Sequence, residues 1–221
     1  MKYKLPRPVV SPTIHEILQR EMRKQRLTFH PLSSKEVKGL QEIVRIIEKK
    51  GLPPYLACEN LPHHLGKGIF LKPDARPLPK GHVIGSYAGE TSLIRQTLPD
   101  DGSYAFTPVL DLHLTREEQQ IFDHETIYRP QRLYAYKIDA IKSGNFTRYI
   151  NHSEKPNVIA ELVSIPNNRS GLTPALVEVV YFCKKVIHPG EQLLISYEAG
   201  EKCYWNSKVK PFAMTPTTFQ L

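Results

Sequence analysis

The chain has 221 residues, 40% of them hydrophobic, enough for one domain with its own core plus an appendage. Thirty Lys and Arg against 22 Asp and Glu give a formal net charge of +8, but acidic residues interleave and no zinc-finger, basic-zipper or aromatic RNA-binding signature accompanies them. No run approaches the roughly 20 apolar residues that span a bilayer, Met1–Pro6 shows charge without the apolar stretch of a Sec signal, and Cys58, Cys183 and Cys203 form neither a disulfide framework nor a four-cysteine zinc site.

Residues 1–10 read as an extended, Pro-containing lead. Ser11-Pro12 is an N-cap followed by Pro at the first helical position, and Ile14, Ile17, Leu18 and Met22 share one helical face, which predicts a helix to about Arg26. His30-Pro31 interrupts it. Ser33 with Glu36 spells a capping box, Val37, Leu40, Ile43, Val44 and Ile47 follow at helical spacing, and Lys49-Lys50 before Gly51 favour an end there. The apolar stripe of this helical pair, within residues 1–54, needs a partner: the core of the following domain, or a second copy of the chain in a homodimer.

Gly51-Leu52-Pro53-Pro54 is a linker, and from Tyr55 short apolar runs are punctuated by Gly and Pro. Strands are predicted at Ile69–Lys72, Val83–Tyr87, Tyr134–Ile138, Val158–Val163, Leu176–Cys183 and Leu193–Ile195. Between them, about residues 91–132 read as a variable insertion with one short helix capped by Thr115. Asn167–Gly171 reads as a hairpin tip, and residues 201–221, with Pro211 and Pro216, as a loosely held tail after a domain of residues 55–200. The fold class is α+β, mainly β. The His63-His64 pair lacks metal-ligand spacing, and no metal site is expected.

The stretch Arg148-Tyr149-Ile150-Asn151-His152-Ser153-Glu154-Lys155-Pro156-Asn157 reads as a strand end at Tyr149-Ile150 turning into a polar loop. Taken alone it is no more than a surface turn. It is accompanied, in order, by Gly66-Lys67-Gly68, by Tyr87-Ala88-Gly89-Glu90, by Ile138-Asp139-Ala140 with Gly144-Asn145, and by Gly190-Glu191 leading to Ser196-Tyr197. In this order the blocks resemble the SET-domain family of protein lysine methyltransferases, over about Leu65 to Tyr197. The compact length, the missing cysteine-rich zinc clusters and the N-terminal helical pair resemble the SET proteins of intracellular bacteria, the chlamydial type.

The resemblance implies a fold of small curled sheets whose last block is threaded under a loop as a pseudoknot. It implies transfer of a methyl group from S-adenosyl-L-methionine to a neutral lysine nitrogen, with histones or lysine-rich bacterial histone-like proteins as substrates and nucleic acid met only indirectly. A substrate lysine has a solution pKa of about 10.4, so it must be desolvated, aimed and kept from water. Tyr197 is implied at the reacting methyl, with Tyr87 lining the lysine channel. Gly66, Lys67 and Gly68 are implied as a loop whose backbone passes the cofactor, the glycines permitting close approach. Arg148, Asn151 and His152 are carried over as cofactor contacts, His152 in a binding and structural role rather than as a base. Tyr104 is implied near the substrate groove, and Trp205 is read either over adenine or as an anchor for the tail. Tyr149 stands where Phe is usual. Ile195, two residues before Tyr197, is aliphatic and leaves space for more than one methyl, and Ser196 replaces a common Asp. Two other readings stay open: a catalytically weak module that binds lysine-rich tails, and a nucleic-acid-associated protein. The expected setting is the bacterial cytoplasm, or a host cell and nucleus reached without a Sec signal.

Overall fold

Two helices open the fold, α1 (Pro12–Gln25) and α2 (Ser34–Lys50). The second is closed at both ends by side-chain and backbone geometry. The Ser33 hydroxyl accepts from the Glu36 N–H at 3.3 Å, and the Glu36 carboxylate accepts from the Ser33 N–H at 2.7 Å. Gly51, at φ 77°, turns the chain out and donates to the Ile47 carbonyl. The structure, a computed structural model, describes residues 5–25, 30–62, 66–96, 105–124, 126–165 and 176–197; the predicted helix end near Arg26, the His63-His64 pair, the Asn167–Gly171 tip and the 201–221 tail lie outside these.

Ile14, Ile17 and Leu18 of α1 and Leu40, Ile43 and Ile47 of α2 are buried. Each such side chain contributes roughly 1.5–3 kcal/mol. The stripe is spent on the chain's own core. Exposed positions on α2 are Ser34, Lys35, Lys38, Gln41, Glu42, Arg45, Glu48, Lys49 and Lys50, all polar.

Among the described residues ten strands follow in three sheets: β1 (Leu56–Asn60), β2 (Lys67–Leu71), β3 (Val83–Ser86), β4 (Glu90–Arg95), β5 (Ala105–His113), β6 (Leu133–Asp139), β7 (Asn151–His152), β8 (Val158–Ile165), β9 (Leu176–Cys183) and β10 (Leu194–Ile195). The first pair is an antiparallel hairpin, the largest sheet runs β3-β9-β8-β10-β7, and the third runs β4-β6-β5. The short β10 is parallel to both β7 and β8, so the 153–157 connection between those two must cross it. This is the threaded segment and the mainly β architecture that the resemblance implies.

The 91–132 region is more regular than expected. Two strands, β4 and β5, flank β6, and α3 (Arg116–Asp123) follows with Thr115 as its N-cap. The alternation that would announce β5 is broken by Pro108 and by Asp111 at φ 57°, and its register to β6 shifts twice.

Buried charge holds α3 in place. The Asp123 carboxylate accepts from Arg95 Nε at 2.9 Å and from the Tyr134 hydroxyl at 2.5 Å, and Arg132 also donates to it. Arg20 of α1 grips Glu118 through both terminal nitrogens, at 2.6 and 2.9 Å. Burial alone would raise the Asp123 carboxyl, but these donors outweigh it and hold it below the usual carboxylate range. A carboxyl whose folded pKa is depressed contributes stability above its unfolded value, about pH 4, and loses it as pH falls through the folded value. Asp123→Asn is therefore expected to cost about 2–3 kcal/mol at pH 7. Urea unfolding at pH 7 and pH 3 checks this: the gap to the parent chain should narrow at pH 3, and an unchanged gap would remove the electrostatic explanation.

Candidate active site

The site is assembled around a short 3₁₀ turn, Phe146–Tyr149. Asn145 starts it. Its buried Oδ1 accepts from the Thr147 N–H at 3.0 Å and from the Thr147 hydroxyl at 2.6 Å, while its Nδ2 donates to the Ser86 carbonyl at 2.8 Å. These local partners draw the backbone into a turn, which replaces the strand end expected at Tyr149-Ile150. They also fasten the turn to the end of β3.

Arg148 is buried, and its guanidinium donates to the carbonyls of Ala140 and Ile141. Its Cζ lies 5.1 Å from the centroid of the Tyr149 ring. These contacts tie the bend after β6 to the turn.

Beyond the turn, β7 joins two blocks distant in sequence. Asn151 Nδ2 donates to the Lys67 carbonyl at 2.9 Å, leaving Oδ1 as an acceptor, and Lys67 Nζ sits 5.8 Å from the Tyr149 ring centroid. Gly66 turns the β1–β2 connection at φ 82°, and a Cβ there would meet nothing within 4 Å. Gly68 differs. A Cβ at that position would lie 2.6 Å from Gln192 Nε2 and 3.0 Å from Leu61 Cδ2, so the chain's own side chains crowd it.

β10 brings in the last block. Leu194 pairs with Asn151 and Ile195 with His152. The crossing loop grips it from above: Ser153 N–H donates to the Ile195 carbonyl at 2.9 Å, and Asn157 N–H to the Leu194 carbonyl at 3.0 Å. Asn157, buried, adds its side chain, with Oδ1 accepting from the Leu194 N–H and Nδ2 donating to the Gln192 carbonyl, both at 2.8 Å. From the other side Leu193 N–H donates to the Ile69 carbonyl at 2.7 Å.

Tyr197 is thereby fixed twice. Its N–H donates to His152 Nδ1 at 3.0 Å, and its hydroxyl donates to the Ile150 carbonyl at 3.0 Å. The two rings are tilted, with centroids 5.3 Å apart. Nδ1 of His152 is the acceptor of the bond from the Tyr197 N–H. With its hydrogen committed, the phenol oxygen presents lone pairs to its remaining surroundings.

Tyr87 is buried in a separate aromatic group. Its N–H donates to the Val179 carbonyl at 2.8 Å, and its ring stacks on Tyr181 at 6.0 Å and tilts against Phe106 at 5.6 Å. Ile195 is buried in the core within β10, and Ser196 is half-buried. Tyr104 and Trp205 lie outside the described residues. One edge thus gathers Lys67, Asn151, His152 and Tyr197, with Ile195 behind it. Phe106, Tyr181 and Tyr136 were not anticipated as site residues, and Asn145 and Asn157 entered only as members of the blocks. Tyr136 is fully buried with no partner for its hydroxyl among the described residues, and burial, then the charge of Glu178, pushes that hydroxyl well above the usual phenol range.

Residues 66–198 match the SET domain family. Over 125 residues the chain is 28% identical to an H3 lysine-4 specific histone-lysine N-methyltransferase of Schizosaccharomyces pombe, a match covering 56% of this chain and 11% of that protein. It is 32% identical over 133 residues to the histone-lysine N-methyltransferase trr of Drosophila melanogaster, covering 60% of this chain and 4% of that one. The chain therefore spans about a tenth or less of the length of these relatives. Among solved structures, ATXR5 in complex with histone H3.1 superposes with a TM-score of 0.50 at 18% identity, covering 76% of this chain and 68% of that one.

Asn157→Ala strips partners from the Leu194 N–H and the Gln192 carbonyl, which should cost about 2–4 kcal/mol. Denaturant melts give the loss, and hydrogen exchange at the Leu194 amide should quicken. An unchanged amide would show that β10 is held without Asn157.

Proposed function

The chain belongs to the SET-domain family, and from that premise we propose that it is an S-adenosyl-L-methionine-dependent protein-lysine N-methyltransferase acting on lysine-rich proteins such as histones or histone-like proteins. The observation that carries the reading is the double fixing of Tyr197 by Ile150 and His152, beside the bond from Asn151 to Lys67. The names of the curated relatives support the lysine substrate class.

The edge fits the cofactor's amino-acid part. It is open at Gly66, offers an acceptor in Asn151 Oδ1 for an ammonium, and has the Lys67 ammonium close by for a carboxylate. Lys67, Asn151 and His152 are the residues that would hold it. When bound, the cofactor supplies an electrophilic methyl on a cationic sulfur.

The chain's own residues supply the rest. The Tyr197 oxygen, its proton tied to Ile150, accepts from the incoming amine and aims the nitrogen lone pair. His152 keeps the backbone of Tyr197 in place through Nδ1. In this reading Tyr87, with Tyr181 and Phe106 packed on it, lines the lysine channel, where desolvation favours the neutral amine. Ile195 is aliphatic and holds no water by a hydroxyl, so products beyond monomethyl-lysine are expected.

The test is label transfer from methyl-radiolabelled cofactor to histones and lysine-rich bacterial proteins, with mass spectrometry of the product. Tyr197→Phe should lower kcat roughly 100-fold while cofactor affinity holds. His152→Asn, whose Oδ1 can stand where Nδ1 does, should keep more activity than His152→Gln. Cofactor binding without transfer to any lysine would favour the non-catalytic binding module instead, and absence of cofactor binding would reject both.

A further inference from the structure

The residues before α1 make contacts that the family match does not cover. Leu5 N–H donates to the Gly144 carbonyl and Val9 N–H to the Gly89 carbonyl, each at 3.0 Å, and the Thr91 hydroxyl donates to the Val9 carbonyl at 2.7 Å. Between these anchors Arg7 reaches inward, with Nη1 3.4 Å from Glu178 Oε1 on β9. The Glu178 side chain is only 2% exposed, and neither of its oxygens is in a well-formed hydrogen bond. The buried hydroxyls of Ser86 and Tyr136 also lack one. Burial pushes the Glu178 carboxyl up, while Arg7 and then Ser86 pull it back. A carboxylate so enclosed depends on a countercharge, which among the described residues Arg7 supplies.

The ion pair brackets Tyr87. Ser86 precedes it and pairs with Val180, Val179 beside Glu178 accepts its N–H, and Gly89 just beyond it accepts from Val9. We propose that Arg7 is a positioning residue for Tyr87: residues 5–9 form a strap that delivers the countercharge to Glu178 and so holds β9 and the aromatic group in register. The role in methyl transfer rests on the function proposed above; the hold on Tyr87 does not.

Two readouts separate them, applied to Arg7→Ala, Arg7→Lys, Glu178→Gln and the pair Arg7→Ala/Glu178→Gln. In hydrogen exchange, Arg7→Ala should speed the peptide covering Val83–Gly89 about tenfold, and adding Glu178→Gln should restore it, since a neutral amide needs no cation. In methylation assays, Arg7→Ala should lower kcat/KM for the protein substrate about tenfold with KM for the cofactor unchanged, Arg7→Lys should recover most of it, and the pair should match Glu178→Gln alone. Lys49→Ala, at the far end of α2, is the unaffected control. Exchange at Tyr87 that ignores Arg7, or a pair no better than Arg7→Ala, overturns the strap. Should Arg7→Ala fail to fold, a pair that folds and behaves like Glu178→Gln still supports the countercharge, and a pair that also fails overturns it. If the parent chain methylates nothing while exchange responds as stated, the strap stands and the proposed function falls.

Discussion

β10 is two residues long and lies parallel between β7 and β8, which are joined by a five-residue loop that crosses over it. Such a short strand offers few ladder bonds of its own. Side chains make up the difference, chiefly the amide of Asn157, which satisfies the Leu194 N–H and the Gln192 carbonyl at once. Everything at the candidate site hangs from this arrangement. His152 is held by its pairing with Ile195, Tyr197 follows directly from β10, and Asn151 reaches Lys67 because Leu193 ties the same segment to β2.

The remaining elements brace that centre. α2 lays its apolar stripe on β3, and α1 shares the main core. Paired charges lock α1 and α3 to their neighbours: Arg20 with Glu118, and Asp123 with Arg95 and Arg132. Glu178 is of another kind. It is a carboxyl deep under β3 and β9 whose cation comes from the extended lead, so a segment with little core of its own is coupled to the aromatic group.

Sequence disclosed what is local. The Ser33–Glu36 box, the Gly51 exit and the Thr115 cap are short-range hydrogen-bond patterns, and each is where its residues say. The apolar run Leu176–Cys183 is the observed β9 to the residue. β4 was hidden because Glu-Thr-Ser-Leu-Ile-Arg lacks alternation, and β7 because two residues carry no period. At the site, the Asn-His block and Tyr197 stood out as words. The reasons for their neighbours did not. A side chain at Gly68 would meet Gln192, Arg148 serves carbonyls of Ala140 and Ile141, and Glu178 looks in sequence like any polar residue of an alternating strand. Such partners are chosen by tertiary packing, which no local pattern encodes.

The placement of β10 has a consequence for how the molecule is made. A ribosome releases β7 and β8 well before the segment that separates them. During that interval their facing backbone edges have no mate, and bare strand edges invite pairing with foreign chains. Only when Leu194 and Ile195 emerge can they slip beneath the 153–157 bridge and seal the gap. Nascent copies stalled short of that point should be the form most prone to aggregate and most in need of chaperones.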